Sequence, residues 1–400
     1  MSVNVLSAMT KKFLVLSLMI AFLLPSGFAE ARYRGEVAGW VPWFGGEDAA
    51  EAAQKRLGDL DTLYLFVYEI NEKGEIVSKV DLEDGAWEDL IDEARDERVD
   101  VIPTIAWFDG EAIHETLSNR RDRQSLIRDI EDLVDDNDYD GVDIDFEQKK
   151  AETIDHFSTF LEDLEDALGR DDLVCTIESR MEPEHRWRTI PDKIEYANDF
   201  EKINEYCDRI QIMAYDQQRA DIVINEERRG VPYAPVADVD WVEHVLEFAL
   251  EDFDEDKVML GVATYGRAWD VTVAPDWYRD YTRVASLNQP RILELAEKYD
   301  SGIGRTEGGE ALISYFPEDS IYKVLNVLPV PEGTPEGFEA AAKALYFATR
   351  TGMEVPVRFV TWSDADAIED KVKLAEKYDL EGISIFKIDG EEDPDLWDLF

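Results

Sequence analysis

Tyr139-Asp140-Gly141-Val142-Asp143-Ile144-Asp145-Phe146-Glu147 has the period of a β-strand, with Asp143, Asp145 and Glu147 on one face and Val142, Ile144 and Phe146 on the other. The segments around it alternate strand and helix, a pattern in which parallel strands are covered on both sides and read as nearly continuous apolar runs. Carboxylates aligned inside such a sheet are costly to bury unless they are protonated, hydrogen-bonded or open to a cleft. An ordinary amphipathic strand with its acidic face in water is the plain alternative. The cost of burying that face points instead to a site.

Outward from this run, strands are expected near Glu36 to Trp43, Thr62 to Glu69, Asp100 to Trp107, Gly141 to Phe146, Leu173 to Ser179, Arg209 to Tyr215, Val258 to Tyr265 and Ile383 to Ile388. Helical spacing lies between them, at Ala49 to Leu57, Trp87 to Glu97, Asp122 to Val134, His156 to Leu168 and Asp364 to Tyr378. Eight strands with helical crossovers fit a (β/α)8 TIM barrel, an α/β fold whose active residues gather at the C-terminal ends of the strands. The turn-rich interval 269–357 breaks the alternation. It is too long for a structureless loop and reads as a small inserted α+β subdomain. The barrel is then expected to comprise 32–268 and 358–400.

A rival reading exists for the opening run. Asp136-Asn137-Asp138-Tyr139-Asp140-Gly141, followed by Glu147, matches the spacing of a calcium loop. Such a loop leads straight into a helix, whereas residues 142–146 alternate as a strand, so no metal and no cofactor is expected.

Asp140-Gly141-Val142-Asp143-Ile144-Asp145-Phe146-Glu147 resembles the D-x-x-D-x-D-x-E signature of glycoside hydrolase family 18, the chitinase and endo-N-acetylglucosaminidase family. Met213-Ala214-Tyr215-Asp216 is similar to that family's M-x-Y-D at the end of the sixth strand, and Leu260 to Arg267 looks like its seventh-strand segment. The resemblance implies a catalytic set of Glu147, Asp145, Asp143 and Tyr215. Glu147 would be the general acid. Asp145 would orient the substrate's 2-acetamido group, backed by Asp143, and the Tyr215 hydroxyl would steady the acetamido oxygen. Asp140, Met213, Asp216, Tyr265 and Arg267 are the accompanying substrate-binding candidates. Many members place a Trp near the end of the last strand, where Phe386 stands here. The family also often carries an insertion between the seventh and eighth strands. Within it, the layout looks nearest to bacterial cell-wall and spore-cortex lytic members.

Trp40, Trp43 and Trp107 fall near strand ends and are candidates for sugar stacking, with core packing the alternative for each. Lys11 and Lys12, an apolar run from Phe13 to Leu24 and a small-residue site through Ala31 read as an export signal over residues 1–31. The apolar run is short for a membrane span. Removing the signal takes away two lysines and one glutamate, moving the formal charge from −50 to −51. That balance argues against nucleic acid and anionic membrane surfaces as partners, and suggests salty surroundings. The 45% hydrophobic fraction and ten tryptophans support a sizeable core, so the acidity is not that of a disordered tail. Cys175 and Cys207 are the only cysteines, and two buried thiols are expected ahead of one bridge.

The reading is therefore a secreted or wall-associated monomer, a retaining glycosidase acting on β-1,4-linked N-acetylglucosamine in chitin-type chains or peptidoglycan. A non-catalytic carbohydrate-binding protein on the same barrel is the alternative. Retention of Glu147 with Asp145 and Tyr215 favours the enzyme.

Overall fold

In a computed structural model, which describes residues 33–400, eight parallel strands close on themselves. They are β1 Glu36–Pro42, β2 Thr62–Ile70, β3 Asp100–Trp107, β4 Gly141–Phe146, β5 Asp172–Glu178, β6 Arg209–Met213, β7 Val258–Ala263 and β8 Gly382–Phe386. Each pairs in parallel with the next, and β8 returns to β1. This is the (β/α)8 barrel expected from the alternation. The proposed export segment, 1–31, lies outside the described residues. Among the described residues no helix is long and apolar enough to cross a membrane.

The covering helices form where apolar spacing and a cap coincide. Arg120–Asp136 buries Leu126, Ile127, Ile130 and Val134 along one stripe, and the Asn119 side chain accepts the Arg121 N–H at its start. Burial sorts the strands by pleat. Thr104 pairs with Asp143 and Ala106 with Asp145, so these face the barrel interior. Ile105 pairs with Ile144 and Trp107 with Phe146, facing the helices. Phe146 accordingly stacks on Phe160 of helix Ile154–Leu168, with centroids 5.6 Å apart. At the start of β4, Gly141 is needed for close approach: a Cβ there would lie 2.2 Å from the Asp172 carbonyl oxygen of β5.

β7 stops at Ala263, and after Thr264 the chain enters a second sheet. Its strands are Tyr278–Asn288, Tyr265–Val273, Val355–Trp362, Ala311–Tyr315 and Gly304–Arg305, all antiparallel and in that spatial order. The alternation of Ala268 and Trp269 supplies a core to each face. Trp269, Val271 and Phe359 pack toward helix Glu339–Thr351, while Ala268, Val360 and Trp362 pack toward helix Gln289–Tyr299. The strands reach beyond 269–357 at both ends, and Tyr265 and Arg267 belong to this sheet, not to β7.

The expectation of two free thiols is corrected. Cys175 on β5 and Cys207 just ahead of β6 form a disulfide, with Cα atoms 6.1 Å apart. Cys175 faces outward like Phe146 and Ile144, since Ile144 is its register partner. The turn into β6 brings Cys207 against it. Spacing along the chain does not show that proximity.

Candidate active site

A cleft of about 310 Å³ opens at the C-terminal ends of the strands. Asp145, Glu147, Met213, Tyr215, Asp216, Tyr265, Arg267, Phe386 and Trp40 line it, which brings together nine of the thirteen residues singled out in the sequence.

Asp143 lies beneath the cleft, fully buried. Its Oδ1 accepts from the Thr176 hydroxyl at 2.7 Å, and its Oδ2 accepts from the Thr104 hydroxyl at 2.7 Å and Trp40 Nε1 at 3.2 Å. Burial lifts its pKa to about 6 despite these donors. Asp145, one pleat further on, is raised well above the usual carboxylate range by burial, then by Glu147 and Asp143. Its Oδ1 is buried and has no hydrogen-bond partner within the protein. A buried acceptor left unpaired is expensive, and here it borders the cleft, so a donor on a bound molecule is its natural partner. Glu147 follows the last residue of β4 and is anchored by its N–H to the Trp107 carbonyl at 2.9 Å. Burial and the Glu178 carboxylate hold its pKa up, Lys149 opposes them, and Asp216 adds to the rise. A carboxyl kept protonated toward neutral pH is what proton donation to a leaving oxygen requires.

Tyr215 follows β6 and presents its ring to the same space. Gly261 of β7 makes room for it, because a Cβ there would meet the Ile212 carbonyl at 2.5 Å and the Tyr215 ring at 3.1 Å. Asp216 turns in the left-handed region, φ 57°, which short polar residues tolerate. Arg267 grips it with Nε to Oδ1 at 2.7 Å and Nη2 to Oδ2 at 2.5 Å, a bidentate pair that also lies 4.4 Å over the Tyr265 ring. Thr264 binds the exits of β7 and β8 together. Its N–H donates to the Phe386 carbonyl at 3.0 Å, its hydroxyl donates to the Lys387 carbonyl at 2.7 Å, and the Lys387 N–H reaches its Oγ1 at 2.9 Å. Phe386 is thereby fixed among Trp40, Phe66, Tyr215 and Tyr265.

Three candidates lie elsewhere. Trp107 is 3% exposed and packs edge-on against Phe146 at 5.3 Å, on the helix-facing side that the pleat assigns it. Asp140 precedes β4 at the opposite end of the strand, where its Oδ2 accepts the Val101 N–H at 2.8 Å. Trp43 leaves the barrel in a short 3-10 turn and is covered by Lys79 Nζ at 5.3 Å, outside the residues lining the cleft.

Sequence reasoning missed Thr104, Thr176, Glu178 and Lys149. Thr176 and Glu178 follow Val174 on the inward pleat of β5, so the alternation carried the signal. Glu178 lines the cleft and accepts from the Gln148 N–H and the Asn198 amide, each at 3.2 Å. Lys149 is buried behind Glu147, its ammonium against the Phe146 carbonyl.

The family model described as Glycosyl hydrolases family 18 matches residues 40–391. YdhD of Bacillus subtilis (strain 168), provisionally named a sporulation-specific glycosylase, is 30% identical over 247 residues, 60% of this chain and 53% of that one. The chain spans about half the length of the curated relatives it matches. Among solved structures, the Bacillus cereus spore cortex-lytic enzyme SleL matches with TM-score 0.68 and 18% identity, over 92% of this chain and 74% of that one. A chitinase from Cycas revoluta in complex with (GlcNAc)3 matches with TM-score 0.64 and 16% identity, over 91% of this chain and 98% of that one. At these identities the two structures speak to the shared fold.

Proposed function

The chain belongs to glycosyl hydrolase family 18, and from that premise we propose that it is an exported, retaining glycosidase that cleaves β-1,4-linked N-acetylglucosamine chains with help from the substrate's own acetamido group. The observation that carries this reading is the buried, unpartnered Asp145 Oδ1 beside the raised Glu147 carboxyl. Glu147 gives its proton to the glycosidic oxygen as the bond from that oxygen to C1 breaks. The acetamido carbonyl oxygen closes on C1 from the other face, while Asp145 accepts the acetamido N–H and stabilises the positive oxazolinium ion. Water then attacks C1 and returns a proton to Glu147, so the β configuration is kept. Tyr215, neutral because burial raises its pKa well above the ordinary value, is the donor for the acetamido oxygen.

A specific observation favours peptidoglycan-type strands over plain chitin. The cleft is flanked by two recesses that share its wall residues, one bearing Lys149, Arg180, Arg186 and Lys193, the other Arg267, Arg291 and Lys387. Arg267, Arg291 and Lys387 are paired with Asp216, Glu294 and Asp389, and Lys193 with Glu195, which leaves Arg180 and Arg186 of the first recess as the cations for a ligand. In a chain with 91 acidic against 41 basic residues, two arginines beside the cleft suit a glycan carrying carboxylates. The names of SleL and YdhD support the same choice. The Cys175–Cys207 disulfide supports export, since such bonds persist in oxidising compartments.

Incubation of the purified chain with N-acetylglucosamine oligomers and with peptidoglycan, followed by product identification, tests the proposal. Cleavage of both with preference for peptidoglycan is the expected result. Binding of oligomers without cleavage of either polymer would replace the enzyme with the carbohydrate-binding alternative.

A further inference from the structure

Two of the chain's four histidines meet at one carboxylate away from the cleft-lining residues. His185 lies on helix Pro183–Arg186 beyond β5, Asp221 caps helix Ile222–Glu227 beyond β6, and His244 lies on helix Val239–Ala249. His185 Nδ1 is 2.9 Å and His244 Nδ1 is 3.0 Å from the same oxygen, Asp221 Oδ2, and the two rings are 4.1 Å apart between centroids. We propose that His185, Asp221 and His244 form a binding site for a transition-metal ion of the zinc class, which ties the loops after β5 and β6 to the helix between β6 and β7.

The donor set fits that class. Two imidazole nitrogens and one carboxylate oxygen suit zinc and its neighbours better than calcium or magnesium, which favour all-oxygen shells. With metal–ligand bonds of about 2.0–2.1 Å at a tetrahedral angle, ligand atoms stand about 3.3 Å apart. The three atoms lie within 4.8 Å of one another, and the two N···O separations need widen by only about 0.3–0.4 Å to admit an ion. The remaining Asp221 oxygen is already held by the Val223 and Ile224 N–H groups at 2.9 and 3.0 Å. That bond fixes the direction of Oδ2, as outer-shell partners do in metal sites. Asp221 is fully buried, whereas the His185 and His244 side chains are 22% and 28% exposed, so an ion can enter from solvent and a water can complete the shell. On binding, the proton on each Nδ1 moves to Nε2 or to solvent. This site is distinct from the 136–147 run, whose resemblance to a calcium loop is one of spacing.

The rival is a simple clasp in which both Nδ1–H groups donate to Asp221, and the experiment separates the two. The full chain is stripped of metal with a chelator, then titrated with Zn2+ or Co2+ at neutral pH while its melting temperature and the visible absorption of Co2+ are followed. One equivalent should bind, raising the melting temperature by about 3 °C or more at about a hundredfold excess over Kd, with ligand-field bands of low-coordinate Co2+. Both signals should vanish in His185→Ala and His244→Ala and persist in His114→Ala, whose histidine sits on another helix. No response in the unaltered chain, or an equal response in the His185→Ala and His244→Ala chains, would overturn the metal site. The Co2+ spectrum of the unaltered chain decides the matter even if a variant folds poorly.

Discussion

The ring of Phe386 lies nearly parallel to that of Tyr215, 18° between planes and 5.7 Å between centroids, with Trp40 edge-on at 5.9 Å. In the proposed reaction this stack would be the apolar floor under the sugar ring, and it also holds the tyrosine whose hydroxyl would meet the acetamido oxygen.

Phe386→Ala should therefore lower kcat/KM on oligomers at least ~10-fold, since losing an aromatic contact of ~1.4 kcal/mol or more is one decade in rate. The loss should appear in both KM and kcat, because the floor grips substrate and Tyr215 acts in the transition state. Steady-state kinetics on a defined oligomer measure it. An unchanged kcat/KM would remove Phe386 from the site.

The pH dependence of turnover reports on Glu147. Glu178 raises its pKa through like charge, so Glu178→Gln should lower that pKa. The proton donor is then lost at lower pH, and the basic limb of the kcat profile moves toward acid. Activity near pH 7 should fall relative to that near pH 5. A limb that stays in place or moves toward alkaline pH would contradict the electrostatic account.

Much of this was legible in the sequence for a simple reason. β3 and β4 match their expected bounds to the residue, β3 because it is a nearly continuous apolar run and β4 because one pleat is apolar while the other puts Asp143, Asp145 and Glu147 on one face. Trp107 takes the core-packing alternative, as the same alternation requires. Its partner in register is Phe146, so it had to face the helices. Asp140 shares the motif but sits before the strand, at the end away from the cleft. The disulfide and the His185–Asp221–His244 cluster depend on how separate loops come together, and no local period encodes that.

The Cys175–Cys207 bridge closes a loop across 32 positions and should stabilise the fold by about 3–4 kcal/mol in the chain-entropy account. Replacing both cysteines by alanine should lower the melting temperature by about 4–5 °C. Differential scanning calorimetry is the check, and an unchanged melting temperature would mean that the bridge adds nothing.

Salt should stabilise the chain. A formal charge of −50 leaves repulsion that counter-ions screen, with the Debye length falling from about 10 Å at 0.1 M to about 3 Å at 1 M. The melting temperature should rise over that range of sodium chloride. A constant or falling value would count against adaptation to salty surroundings.

The central claim is that Glu147 supplies the proton and the substrate's acetamido group supplies the nucleophile. Glu147→Gln keeps the shape but cannot donate, so turnover should fall by at least ~100-fold while oligomer binding survives. The most direct measurement is rapid NMR of freshly formed product, paired with an oligomer deacetylated at the reacting sugar. The account predicts a β anomer at first appearance and no cleavage of the deacetylated oligomer. An α anomer, or cleavage at an equal rate without the acetyl group, would contradict it even if Glu147 proved essential.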